Sequence, residues 1–256
     1  MDLEEMIEMG VPDIELDTVV WMGDQHVPYH DKKTHRSCLK LLNYLQPEIL
    51  VLGGDFVDFY SVSHYDKDPI RSHKLQKELD IAKEMLGEIR EVAPNTRIVY
   101  LEGNHENRLE RYLKKHPELW GLDALKVEEL LDLDSMDIEY MDDFMYHGFL
   151  FKHGDYCNKY ASNKEMEVEG VSGMSGHTHR NQVMTKNTRA GYSSWYNIGH
   201  LSNEKMADYI KGIPNWQQGL GVVYFKQGRG KHRYQVHMIP ITKSKFIFDG
   251  KEFNPD

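Results

Sequence analysis

Five short segments carry residue types that together could hold metal ions and do chemistry with them. They are Asp24-Gln25-His26, Gly54-Asp55-Phe56-Val57-Asp58, Gly103-Asn104-His105-Glu106, His153-Gly154-Asp155 and Gly176-His177-Thr178-His179. Together they offer imidazole nitrogens and Asp or Asn oxygens without a thiolate, a donor set suited to hard or borderline divalent cations. A cation in such a set can activate water and polarise a phosphoryl oxygen, whereas a thiolate cage would suggest structural zinc.

Each segment has its own logic. Asp24 and His26 stand two residues apart, so in extended chain their side chains would face the same way. Asp55 follows two glycines, which let the backbone turn tightly, and Asp58 is placed to sit behind it. Asn104 is a neutral oxygen donor that keeps a metal site from becoming too negative. His105 would then lie beside the metals, able to protonate a leaving alkoxide, with the Asp58 carboxylate orienting its ring. His177 and His179 again have i, i+2 spacing, and His153 ends an apolar run. Taken singly, each segment has a plainer reading as a solvated turn, a helix cap or a surface histidine, with Gly103-Asn104-His105-Glu106 the most specific of them. Their recurrence at successive strand ends argues for one site.

The elements that must position them are legible in the hydrophobic pattern. Thr18 to Met22, Ile49 to Leu52 and Arg97 to Leu101 are short apolar runs, each leading through glycine into a motif. Between them, helical spacing runs from Asp31 to Gln46 and from about Ser72 to Val92, and a third helix is expected over Asn107 to Lys115. This alternation predicts βαβ units around a parallel sheet, with the motifs converging outside the carboxyl ends of the strands. Further strands are expected at 149–152, 170–174, 182–186, 192–198, 220–226 and 234–239, with a hairpin tip at Gln227-Gly228-Arg229-Gly230. The expectation is an α/β fold in a single domain spanning 1–256, with two sheets packed together and helices outside.

The ordered set DxH, GDxxD, GNHE, H, GHxH resembles that of the calcineurin-like metallophosphoesterase superfamily, from Asp24 to His179. Asn197-Ile198-Gly199 is similar to a run that some members carry further on. The resemblance implies a four-layer α/β/β/α sandwich of two mixed sheets flanked by helices. It implies one metal on Asp24, His26, Asp55 and His179, and a second on Asp55, Asn104, His153 and His177, with Asp55 bridging. His105 matches the catalytic histidine and Asp58 the acid beside it. Two divalent ions are implied, Mn²⁺ foremost, with Fe, Zn²⁺, Ni²⁺ or Mg²⁺ as alternatives. The implied reaction is hydrolysis of a phosphate mono- or diester by in-line attack of a bridging hydroxide. A nuclease acting on DNA or RNA ends is the alternative, and a non-catalytic metal-binding module or a mononuclear zinc hydrolase the more distant ones. Phe59-Tyr60 after Asp58, and GHTH rather than a lone His, lead away from the superfamily's Ser/Thr protein phosphatases.

Composition bounds the partners. Of 256 residues 40% are hydrophobic, no apolar run is long enough to span a bilayer, and Met1 to Glu5 lacks a signal-peptide pattern. Cys38 and Cys157 form no CxxC pair, which fits a cytoplasmic setting with both thiols free and Cys157 buried. The net charge of −10 disfavours long nucleic acid and points to a small or short phosphoester. Against it stand basic clusters at Arg36, Lys67, Arg71 and Lys74, at Arg108, Arg111, Lys114 and Lys115, and at Lys226, Arg229, Lys231 and Arg233. Each is expected to be a solvated face, with Glu110 pairing Lys114 at i, i+4. Tyr192, Trp195, Tyr196 and Trp216 could stack a base or fill the core. Oligomeric state leaves no mark in the sequence.

Overall fold

The computed structural model describes residues 14–64, 74–189, 191–203, 213–227 and 233–256. Lys67, Arg71, Arg229, Lys231, the hairpin tip at 228–230 and the acidic start of the chain lie outside them.

Strands β1 (Leu16–Met22), β2 (Ile49–Leu52), β3 (Arg97–Leu101) and β4 (Ile138–Met141) pair in parallel. The second sheet holds β5 (Asp143–Tyr146), β6 (Phe149–Lys152), β7 (Ser172–Ser175), β8 (Gln182–Thr188) and β9 (Gly191–Asn197), in the order β5-β6-β7-β9-β8. β10 (Gln218–Lys226) and β11 (Tyr234–Ile241) return antiparallel to complete the first sheet, ordered β11-β10-β1-β2-β3-β4. A short β12–β13 hairpin (Phe246–Phe248, Lys251–Phe253) ends the chain.

Side chains alternate along each central strand, as period 2 requires. Val20, Met22, Leu50, Leu52, Ile98 and Tyr100 face the helices α1 (Lys32–Leu45) and α2 (Leu75–Val92). Their neighbours Val19, Trp21, Ile49, Val51, Val99 and Leu101 face the second sheet, meeting Phe149, Phe151 and Met174. Beyond that sheet, Leu150 and Trp195 pack on Met166 of α5 (Ala161–Glu169). With both faces covered, these strands must be apolar throughout, and the result is the expected α/β/β/α layering.

Local chemistry sets the helix bounds. Asp31 caps α1 by accepting from the N–H groups of Lys33 (3.0 Å) and Thr34 (3.1 Å). Gln46, in the left-handed region, ends the helix before Pro47. The third helix, α3, begins one residue early, at Glu106, and runs to Lys114. Val127–Leu131 forms a short α4. The strand expected from Gly170 begins instead at Ser172, because α5 precedes it and Gly170 at φ 68° is that helix's left-handed cap. No periodicity announced α5, β4 or β5. Each is short and punctuated by acids.

Replacing Asp31 by Ala should cost about 1 kcal/mol, the ordinary worth of such a cap, measured as a lower urea midpoint with an unchanged slope.

Candidate metal centre

β1, β2, β3, β6 and β7 all end on one edge, and the loops beyond them bind one another. Asp24 N–H donates to Gly54 O (3.1 Å), His26 N–H to Asp55 O (2.9 Å) and Val27 N–H to Phe56 O (2.8 Å). His105 N–H donates to Asp55 Oδ1 (2.8 Å), and His177 N–H to Asp24 (3.1 Å). Gly103 must be glycine here, since a Cβ would lie 2.2 Å from the Asp55 nitrogen and 2.3 Å from its Oδ1.

The extended-chain argument for Asp24 and His26 does not hold. Both are left-handed (φ 55° and 51°), as are Asp55 (50°), His177 (63°) and His179 (56°). Each carboxylate or imidazole is turned inward by a conformation L-residues adopt reluctantly, and such strain of about 1–3 kcal/mol per residue collects at functional sites.

The side chains the sequence singled out converge. Asp24, His26 and His179 offer donor atoms within 4.8 Å of one another, and so do Asp55, His153 and His177. Asp55 Oδ2 lies between the groups, 3.8 Å from His26 Nε2 and 3.4 Å from His153 Nε2. Asn104 Oδ1 is 3.0 Å from His153 Nε2, beside His177 Nδ1 at 3.2 Å from the same nitrogen. His26 Nε2 and His179 Nε2 face each other at 3.0 Å, with Asp24 Oδ1 3.2 Å from His179. His153 Nδ1 donates to Gly53 O (2.9 Å), which fixes its tautomer and turns the Nε2 lone pair inward.

Inward lone pairs with few protons between them are what a cation needs. Burial pushes His26 down to about 4 and His179 down to about 3, so both are neutral at pH 7. His153 is the exception: burial opposes its charge, but Asp55 and Asp24 push it up to about 10. A metal arriving there must displace that proton. The donor set therefore fits divalent metal.

His105 stands beside these donors. Its Nδ1 is 3.0 Å from Asp58 O and 3.4 Å from Asp58 Oδ2, and that carboxylate is also 3.5 Å from His26 Nδ1. Burial disfavours a charged His105, yet Asp55 and Asp58 together raise its pKa. Burial acts against the Asp58 anion, but hydrogen bonds from His105 and His26 hold its carboxyl below the usual range.

Two residues the sequence gave no role prove central. Glu106 is buried, and its carboxylate accepts from the N–H groups of Asp55, Phe56, Val57 and Gly103 (2.9–3.1 Å) and from Tyr100 Oη (2.7 Å). Burial and Asp55 push its pKa up, and the Tyr100 and Val57 donors pull it back. With every donor pointing inward, the anion is the form that fits. Its place in GNHE was the available signal. Arg108, expected on a solvated face, is half-buried, with Nη1 3.2 Å from Asp58 Oδ1 and Nη2 2.8 Å from His105 Nε2.

Other expectations fare differently. Trp195 is core, Tyr192 is exposed, and Trp216 meets the His179 ring edge at 4.4 Å. Asp155 is exposed and paired with Lys152. Cys157 is exposed rather than buried, and Cys38 is buried and free. Asn197 braces β7 from behind, donating to Ser175 Oγ at 2.8 Å.

The fold and the paired His/Asp groups define a metallophosphoesterase architecture. The model of the family "Calcineurin-like phosphoesterase" matches residues 17–222, and the chain belongs to that family. It is 29% identical to the Gene 54 protein of Mycobacterium phage D29, over 91% of this chain and 96% of that one. To the Gene 54 protein of Mycobacterium phage L5 it is 26% identical, over 91% and 97%. Among solved structures, Vacuolar Protein Sorting 29 from Cryptosporidium parvum is similar at a TM-score of 0.48 and 13% identity, covering 94% of this chain and 96% of that one. So distant a likeness carries nothing about activity or partner. No helix among the described residues is long and apolar enough to cross a membrane.

Glu106→Ala would orphan five buried donors and should cost about 3–5 kcal/mol by urea denaturation, enough to weaken metal retention too. Gln in its place fills the space and keeps part of the bonding, so its loss should be smaller. Equal losses would remove the clasp from the account of stability.

Proposed function

We propose that the chain is a two-metal phosphoester hydrolase, with Asp24, His26, Asp55 and His179 holding one ion and Asp55, Asn104, His153 and His177 the other. The observation that carries this is Asp55 Oδ2, which faces donors of both groups from between them. Bound divalent ions, Mn²⁺ foremost, would supply Lewis acidity on phosphoryl oxygens and lower the pKa of a water toward neutrality.

The chain's own residues supply the rest. His105 lies beside the paired donors, with Asp58 at Nδ1 orienting the ring and favouring its charged form, so that it can give a proton to the departing oxygen. In this arrangement Arg108 Nη2 donates to His105 Nε2, so the nitrogen that would later give up a proton is here an unprotonated acceptor. Substrate phosphate offers the guanidinium a better partner and frees that nitrogen. No side chain needs to form a covalent intermediate. The substrate is a phosphate mono- or diester, a small molecule or a short nucleic acid, met in the cytoplasm.

The test uses metal-stripped protein reloaded with Mn²⁺, assayed on bis-p-nitrophenyl phosphate and on p-nitrophenyl phosphate with bound metal counted. Two ions per chain with hydrolysis are expected. Asp55→Ala should lose ions and activity together. His105→Ala should keep both ions and lose about 10²–10⁴-fold in turnover on an ester with a poor leaving group. Full activity of that variant would remove the proton-donor role. One ion per chain, with Asn104→Ala silent, would favour a mononuclear hydrolase instead.

A further inference from the structure

A groove of about 580 Å³ opens between the turn at Tyr60–Val62, with Ser63 and His64 beyond it, and the exposed face of α3. At its inner end is Arg108, already bonded to His105 and Asp58. Arg111, Tyr112 and Lys115 line it further out.

The charges along this helix are not equivalent. Lys114 is neutralised by Glu110 at 2.8 Å, and Arg108 by Asp58 at 3.2 Å. Among the described residues no carboxylate pairs with Arg111 or Lys115. These two are exposed and four positions apart, hence on one helix face. Tyr112 beside them is 36% exposed, its ring stacked on His116 at 4.1 Å and 26°. Two cations with no carboxylate partner among the described residues, flanking an aromatic pair, match a ligand that alternates phosphates with flat rings. A rise of about 1.5 Å per residue sets Lys115 about 10 Å beyond Arg108 along the helix, the length of about three stacked nucleotides at 3.4 Å each.

We propose that this groove holds a single nucleic-acid strand adjoining the scissile phosphate, so that the substrate is a short single-stranded oligonucleotide. The proposal rests on the phosphoesterase reading above and narrows its substrate class. A single strand is required because bases paired in a duplex present no face to Tyr112, whereas unpaired bases stack on aromatic side chains. A strand only a few nucleotides long also engages this cationic stripe without meeting the remainder of a surface whose net charge is −10.

The experiment measures a ten-nucleotide single strand as a competitive inhibitor of bis-p-nitrophenyl phosphate hydrolysis by the Mn²⁺-loaded protein, over a range of salt. Deoxy- and ribo-oligomers form separate arms, and a blunt duplex a third. In R111A/K115A, the inhibition constant of at least one single strand should rise about tenfold or more. Its logarithmic dependence on salt should fall by about 1.4, at about 0.7 per phosphate contact on a single strand. Tyr112→Ala should weaken the same inhibitor without changing that slope. Inorganic phosphate, run in parallel, should lose several-fold less than the oligomer in R111A/K115A. If both single strands fail to inhibit, or constant and slope are the same in wild type and variant, the groove is not their site. A duplex that inhibits as well as the single strands, with equal sensitivity, would equally overturn the proposal. Absent hydrolysis of the small diester by wild type is a different failure, that of the phosphoesterase reading itself.

Discussion

The site depends on one buried carboxylate. Glu106 gathers the N–H groups of Asp55, Phe56, Val57 and Gly103 and the Tyr100 hydroxyl. It thereby ties the loop after β2 to the loop after β3. Three consecutive N–H groups pointing at one point create a concave, locally positive backbone, which an anion stabilises strongly once water is excluded. Asp55 can then turn outward from its loop toward the histidines, with its Oδ1 taken by the His105 N–H and its Oδ2 left to the centre.

Charge balance explains why the inward face is built as it is. Imidazole nitrogens lie 3.0–3.3 Å from one another within a shell that solvent barely enters. Their full protonation is ruled out by repulsion and by burial. Asp24, Asp55 and Asp58 bring negative charge to the same volume, and burial, with the Asp55 charge, raises Asp24. Neutral imidazoles and crowded carboxylates together form a cage whose natural complement is cationic. Arg108 extends the same balance outward, drawing Asp58 and His105 into contact with the rim.

Much of this was legible in the sequence. Apolar runs ending at glycine marked β1, β2 and β3, and the parallel arrangement they imply brought Asp24, Asp55 and Asn104 to one edge. What was not legible depends on contacts far apart in the chain. Nothing near Glu106 in the sequence says that three of its partners, Asp55, Phe56 and Val57, lie about fifty residues earlier. Arg108 looked like a surface charge because helical spacing does not reveal that Asp58 faces it. Asp24 and His26 were expected together for a reason that proved wrong: extended spacing was assumed, whereas their positive φ values turn them inward. Short elements such as α5 and β4 owe their form to packing on neighbouring sheets rather than to a pattern of their own.

The left-handed donor residues carry an evolutionary consequence. Glycine adopts such angles freely, so exchanging Asp24, His26 or His179 for glycine relieves backbone tension at the same stroke as it discards a donor. Selection for robustness and selection for chemistry thus pull these positions in opposite directions. A lineage released from the second would drift readily to a sturdier, inert descendant of the same shape. A laboratory search for thermal tolerance that does not also screen for bound metal would drift the same way.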